Sequence, residues 1–399
     1  MNHYVGKFVF HPVGHGLFYT GEITDDSGES FSFAFDCGSE NEQIVLDIIN
    51  NGLLPNGLSD ILPEHIDLLI ISHFHADHIS GALELIKKKR ISKVILPYLT
   101  DTTKILYASK MDSSFSNGSN LVNFISDPTT VIKEINENCE VHLLNENESS
   151  DFNRLELWDS EREPFEFKWT DKLNSNSNLY QHAGNVSLVS PIWEFRFYMP
   201  KIGDKDQIQK LKDFFSDNSI TIDNARNHFS EIEAKMDELK LDDNISNIVC
   251  AHGPSSKLLL GAIENNITPY PLSHPFPWIW HPYYYYRRHP FLSEFRPIQF
   301  LNGDAEIDDK NAFRNRYKDQ LLRSILFQIP HHGSKKNWDD IFCKWQPFCN
   351  LWPVTHNRTN KRKGRGIFPS ANFSFISVRP ITDDPYSKLE FRIHFFKEK

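Results

Sequence analysis

Three histidines and a carboxylate crowd one short loop, Ile70-Ile71-Ser72-His73-Phe74-His75-Ala76-Asp77-His78-Ile79-Ser80-Gly81. Imidazole and carboxylate are borderline donors of the kind Zn²⁺ takes. A loop at a strand end can aim His73 and His75 to one side and Asp77 and His78 to another, so the string can hold two metals. With 18 histidines and 53 acids in 399 residues, chance gives the pattern HxHx[DE]H in about 5 of 1,000 such chains. Three other strings carry compatible chemistry. Leu301-Asn302-Gly303-Asp304-Ala305-Glu306 follows the apolar run PIQF, and a Gly-Asp at a strand end offers a carboxylate whose two oxygens can span two cations. Ile329-Pro330-His331-His332-Gly333-Ser334 also follows an apolar run; one ring of such a pair can face a metal while the other faces substrate or a supporting carboxylate. Asp36, in Phe35-Asp36-Cys37-Gly38, can orient a histidine. Taken singly, Asp304 reads as a turn aspartate, while Asp36 also suits a helix N-cap and the histidine pair a structural role.

In this order the strings resemble the metallo-β-lactamase fold, and within it the ComEC-like branch, which contains the catalytic domain of a bacterial DNA-uptake competence protein. Val13-Gly14-His15-Gly16, Asp36-Cys37-Gly38, His73 to His78, Gly303-Asp304-Ala305-Glu306 and Pro330 to Ser334 carry the resemblance, in islands between residues 8 and 340. It implies a four-layer αβ/βα sandwich with insertions. It also implies two divalent ions, zinc first and manganese as the alternative, with His73 and His75 on one, Asp77 and His78 on the other, and Asp304 bridging. One histidine of the pair, His331 or His332, is then expected as a further ligand, and Asp77, Asp304, His332 and Asp36 as the catalytic group. Many family members supply another histidine before the bridging aspartate; Cys250-Ala251-His252-Gly253 makes His252 the expected counterpart here. His15 stands where the family has glutamine.

These residues need strands to present them. From Phe8 to Ile71 the chain alternates short extended runs with glycine turns, Phe31, Phe33 and Phe35 recurring at period two. Helical spacing follows in NEQIVLDIINN and after His78, through Ile79, Leu83 and Ile86. Alternating elements imply an α/β layered fold. Residues 101 to 130 and 145 to 185 are rich in Ser, Asp, Thr and Asn and read as surface loops around a strand FEFKW. Ala225, Phe229, Ile232, Met236 and Leu239 mark an amphipathic helix over 223–240, a stripe for packing on the main body or on a protein partner. Strands return at SNIVC, PIQFL, ILFQI, CNLWPV and FSFISV, with KNAFRNRYKDQLLRSI a helix among them. The expected organisation is one domain over 1–399, enlarged by insertions at about 100–245 and 262–296.

Lys plus Arg number 43 against 53 acids, a net charge of −10, which excludes a uniformly basic nucleic-acid surface and leaves room for local tracks. The aromatic and proline-rich stretch 267–291, with Arg287 and Arg288, suits base stacking, a hydrophobic flap or a protein partner's surface. Arg358 is the first of five positive charges in the nine residues 357–365, and Lys335 follows the histidine pair; Arg287, Arg288, Lys335 and Arg358 are expected to meet substrate phosphates. Five scattered cysteines without a CxxC pair indicate a reducing compartment, and with no apolar run of about eighteen residues the expected location is cytoplasmic, away from membranes. The function expected is a binuclear metal-dependent hydrolase, a phosphodiesterase or nuclease using a metal-bridging hydroxide on nucleic acid or a nucleotide. The alternatives are hydrolysis of a small ester, lactone or lactam, or a metal-stabilised interaction or sensor protein.

Overall fold

A computed structural model describes residues 2–52, 62–111, 118–145, 163–170, 174–176, 179–200, 205–241, 246–255, 258–265, 298–305, 310–333, 351–355, 377–384 and 387–397. The chain opens with an antiparallel meander, β1 (Asn2–Phe10), β2 (Phe18–Asp25) and β3 (Ser30–Cys37), followed by α1 (Glu42–Asn51) and β4 (His65–Ile70). Next come α2 (Ala76–Ile79), α3 (Ala82–Lys88), β5 (Arg90–Pro97), α4 (Asp101–Ser109), α5 (Gly118–Ser126), α6 (Pro128–Ile135) and β6 (Glu140–Asn145). The middle holds the short strands β7 (Lys168–Trp169), β8 (Asn174–Asn176), β9 (Leu179–Ala183), β10 (Ser187–Val189) and β11 (Trp193–Tyr198), then α7 (Lys205–Asp217) and α8 (Phe229–Leu239). The last part contains β12 (Val249–Pro254), β13 (Leu258–Asn265), β14 (Ile298–Leu301), α9 (Lys310–Leu321), β15 (Ser324–Phe327), β16 (Leu351–Thr355), β17 (Ser377–Ile381) and β18 (Leu389–Lys397).

Among the described residues the strands form two sheets. One has ten strands in the order β13-β18-β1-β2-β3-β4-β5-β6-β9-β8, the other eight in the order β17-β16-β15-β14-β12-β11-β10-β7. The period-two phenylalanines explain how they meet. Phe31, Phe33 and Phe35 of β3 face the second sheet, where Phe195 and Phe197 of β11 join the same core with Trp193. Among the described residues, nine of the chain's 31 phenylalanines are buried in this core between the sheets, where each ring removes a large apolar area from water. β4 is apolar on both faces: Leu68 and Ile70 enter this inter-sheet core, while Leu69 and Ile71 enter another with Val45, Ile48 and Leu85 of the outer helices. On the far side, α9 covers the second sheet through Phe313, Tyr317 and Leu321. Helix, sheet, sheet, helix is therefore the layer order, consistent with the metallo-β-lactamase fold.

Pairing is parallel through β3-β4-β5-β6-β9 and again through β14-β15-β16-β17. Loops leaving the carboxyl ends of parallel strands collect at one edge of a sheet, where ligands of open α/β sheets bind. The His73 loop leaves β4, Asp304 leaves β14 and the histidine pair leaves β15.

One expectation is corrected and two are narrowed. The Ser- and Thr-rich stretch after residue 100 is not loop alone, because α4, α5 and α6 occupy most of it. Its polar residues include helix caps: Thr100 accepts from the Thr103 N–H and Asp127 from that of Thr130, with Pro128 opening α6. Of the two uses expected for the apolar stripe of 223–240, packing on the main body is the one observed. Ile232, Met236 and Leu239 of α8 are buried against Leu211 and Phe215 of α7 and Ile105 and Leu106 of α4. Of FEFKW, only Lys168 and Trp169 are paired as strand. No helix among the described residues is long and apolar enough to cross a membrane.

Candidate metal centre

Asp304 is the common member of two groups of donor atoms. Asp77, His78, Asp304 and His332 each offer one atom to the first group, and His73, His75 and Asp304 to the second, with the atoms of each group within 4.8 Å of one another. In the first, His332 Nε2 lies 2.9 Å from Asp77 Oδ2 and 3.6 Å from Asp304 Oδ1, and His78 Nε2 lies 3.2 Å from Asp304 Oδ1. In the second, His73 Nε2 and His75 Nδ1 are 3.1 Å apart and stand 3.6 and 3.9 Å from Asp304 Oδ2. The donor set fits divalent cations. His78 Nε2 is fully buried without a hydrogen bond, and imidazole nitrogens converging on carboxylates are costly to bury unless something positive lies between them.

Each donor is aimed by a residue behind it. Asp36, buried and left-handed at φ 54°, accepts from the Ser72 N–H at 2.6 Å and the Ser72 hydroxyl at 2.7 Å. Its Oδ2 also lies 2.7 Å from His78 Nδ1, which fixes the proton there and turns the Nε2 lone pair to the centre. Ser72 Oγ is in turn 2.8 Å from His73 Nδ1. His332 Nδ1 lies 3.1 Å from the Thr355 carbonyl at the end of β16, the same device on the other sheet. Gly38 lets these parts approach: a Cβ there would lie 2.4 Å from the His78 carbonyl carbon. The turn carrying Asp304 is held by the buried Gln328 of the next strand end, whose Oε1 accepts from the Asn302 and Gly303 N–H groups at 2.7 and 2.9 Å.

Burial and charge then set protonation. Burial raises Asp77 and Asp304, but His78 and His332 outweigh it and hold both carboxyls far below the usual range. Burial lowers His78 and His332, but the carboxylates, Asp304 first, outweigh it and raise both. Burial, reinforced by His78, lowers His73 to about 3. Asp36 is raised by burial, with His78 opposing.

The residues singled out in the sequence do not all arrive here. The histidine pair divides. His332 joins the donor atoms, whereas His331 belongs to neither group, because consecutive left-handed backbones, φ 49° and 52°, set their rings at 89°. His252 is not brought to the centre. Its ring is fully buried between the sheets among Phe8, Tyr19, Phe33, Trp193 and Phe195. The end of β12 near the centre is its beginning, where the Ile248 N–H donates to the Ser72 carbonyl, and His252 lies about 13 Å farther along at roughly 3.3 Å per residue. Lys335, Arg287, Arg288 and Arg358, and the whole aromatic stretch 267–291, lie outside the described residues.

A cavity of about 510 Å³ opens over the centre, lined by His15, Glu40, His75, Ala76, Asp77, Tyr107, Lys110, Met111, Asp304, His331 and His332. His15 packs against His332 with ring centroids 3.8 Å apart and the planes tilted by 33°, and its Nε2 is 3.7 Å from both Glu40 and Asp77. Burial lowers its pKa to about 4, with His332 adding to the effect. Tyr107, Lys110 and Met111 come from α4 and the turn after it, in the stretch read as loop. Glu40 stands four residues past Asp36. Nothing in the local sequence marks Lys110 as a pocket residue.

Residues 31–117 match the Metallo-beta-lactamase superfamily. The matched segment contains Asp36, the His73 to His78 string and Lys110, and the remaining donors lie beyond it. No curated protein matches the chain. Among solved structures, the long form of RNase Z from yeast is similar at 10% identity with a TM-score of 0.32; the similarity covers 89% of this chain and 37% of that one.

Proposed function

We propose that this chain is a binuclear metal-dependent phosphodiesterase acting on a nucleotide or nucleic acid. The observation that carries the reading is Asp304, shared by two donor groups and flanked by the hydrogen-bond-free Nε2 of His78. Asp77, His78, Asp304 and His332 would hold one ion, and His73, His75 and Asp304 the other. Bound there, two divalent ions supply Lewis acidity and a hydrolytic nucleophile at neutral pH. The chain's own contribution is orientation: Asp36 and Thr355 keep protons on Nδ1 of His78 and His332, so each Nε2 faces the reaction.

Charge favours an anionic substrate over a lactam or lactone. Two divalent ions outweigh the carboxylates of Asp77 and Asp304, while Lys110 and Glu40 offset each other, so the loaded cavity is positive and draws a phosphate. Lys110 stands where it can bind phosphate oxygens as a point charge, and Arg287, Arg288, Lys335 and Arg358 are proposed to follow the rest of the substrate. The GDAE and PHHGS strings support placing the chain beside the competence branch.

The test is turnover of a bis-aryl phosphodiester, single-stranded DNA, RNA and cyclic nucleotides by protein loaded with Zn²⁺ or Mn²⁺, beside His75→Ala and Asp304→Ala. Hydrolysis of at least one, lost in both variants, is expected. Equal turnover in the variants, or none on any substrate with two ions bound, overturns the proposal.

A further inference from the structure

Building on the metal-hydrolase reading, we propose that Asn247 is the missing donor of the His73–His75–Asp304 half, making that half the weaker of two unequal metal sites. The two halves differ in their ligands. Among the described residues, Asp77, His78, Asp304 and His332 supply four donors including two carboxylates, whereas the other half has three donors and only the shared carboxylate.

Asn247 stands beside the smaller set. It is 1% exposed, and neither its Oδ1 nor its Nδ2 has a hydrogen-bond partner. Buried amides are normally paired, so an asparagine with both polar atoms unmade points to a ligand that completes it. Its surroundings place it at the centre. Gly303, which precedes Asp304, has φ +53°, and a Cβ there would meet Ser72 Oγ at 2.7 Å and Asn247 Oδ1 at 2.9 Å. The carboxamide thus lies against the turn that presents Asp304 and beside the serine that holds His73. The neighbouring Ile248 N–H, bonded to the Ser72 carbonyl at 2.8 Å, ties this strand start to the histidine loop. A neutral carboxamide oxygen is a hard but uncharged donor, so it completes the set without matching the second carboxylate of the other half. Two metal ions therefore bind in steps, the tighter in the half that contains Asp77.

Stepwise titration of metal-free protein with Zn²⁺ and with Mn²⁺, followed by calorimetry, tests this alongside the melting temperature of the metal-free form. Asn247→Leu, apolar and of similar shape, is expected to raise the metal-free melting temperature, because two unmade hydrogen bonds disappear, while weakening the second ion at least tenfold. Asn247→Asp is expected to do the reverse, lowering the metal-free melting temperature and tightening the second ion at least tenfold; refolding in the presence of Zn²⁺ recovers it if the metal-free form does not fold. A purely structural amide would move melting temperatures and leave the second binding step alone. Two ions bound by wild type, with both variants within twofold of it at each step, overturn the role of Asn247 and leave the hydrolase reading standing. Fewer than two ions on wild type overturn both.

Discussion

Asp36→Asn tests the claim that a residue on the neighbouring strand, outside both donor groups, controls the ligands. The substitution is conformationally clean, since asparagine tolerates the left-handed φ of 54° as aspartate does. It leaves the volume unchanged, and one oxygen can still accept from the Ser72 N–H. The other oxygen position becomes an amide nitrogen, which can only donate. At 2.7 Å from His78 Nδ1, it forces that nitrogen to accept and moves the ring proton to Nε2, the atom that must offer a lone pair to the centre. Loss of such a supporting carboxylate weakens metal binding by about 10- to 100-fold, or roughly 1.4 to 2.7 kcal/mol. Metal-free stability should move less: exchanging charged for neutral hydrogen bonds removes about 1 to 2 kcal/mol, and relief of the carboxylate's burial restores part of it. Zinc titration by calorimetry reads the first quantity and urea denaturation in a chelator the second. Wild-type zinc affinity in Asp36→Asn, with the fold intact, would refute the tautomer argument.

Gln328→Leu leaves the buried N–H groups of Asn302 and Gly303 without an acceptor, so a loss of about 2 to 6 kcal/mol in urea denaturation is expected, with weaker binding of both ions because Asp304 is common to them. His252→Phe should leave metal content unchanged, since the ring lies in the inter-sheet core. Burial depresses the His252 pKa to about 3, so neutral His252 stabilises the fold above its unfolded pKa and that contribution is lost as pH falls through the folded one. The advantage of the phenylalanine variant should therefore grow by about 1.4 kcal/mol per unit from roughly pH 6.5 down to 3, and a pH-independent difference in thermal denaturation would contradict this. Glu140 has its pKa lowered to about 2 by the hydrogen bond with His142 and by Lys93. It stabilises the protein above the unfolded pKa of about 4.3, and the wild-type advantage over Glu140→Gln should shrink from there downward and vanish near pH 2 in parallel melting curves.

The donors were legible because they come in contiguous strings after apolar runs. His73 to His78 carries its spacing within six residues, and Asp304 and the histidine pair each follow a strand whose composition announces it. What failed was any inference that needed direction or distance. His252 resembled a ligand by its place in the order, yet its position within β12 turns it into a core of aromatic rings. The loop reading of residues 101 to 130 failed because cap residues and exposed helix faces share the composition of loops, and with it went Tyr107, Lys110 and Met111 of the cavity wall.

The sequence alone determined which chemistry is available: imidazoles and carboxylates enough for two cations, alternating phenylalanines to close one sheet on another, and a net charge that leaves only local attraction for a polyanion. Tertiary structure decided which atoms meet. His332 Nε2 reaches Asp77 across 255 residues of chain, and Gln328, Thr355 and Asn247 stand behind the centre with no spacing that relates them to it. Ligand identity is a property of a side chain, whereas coordination is a property of converging vectors, and only the packing of two parallel strand ends against each other brings those vectors to one point.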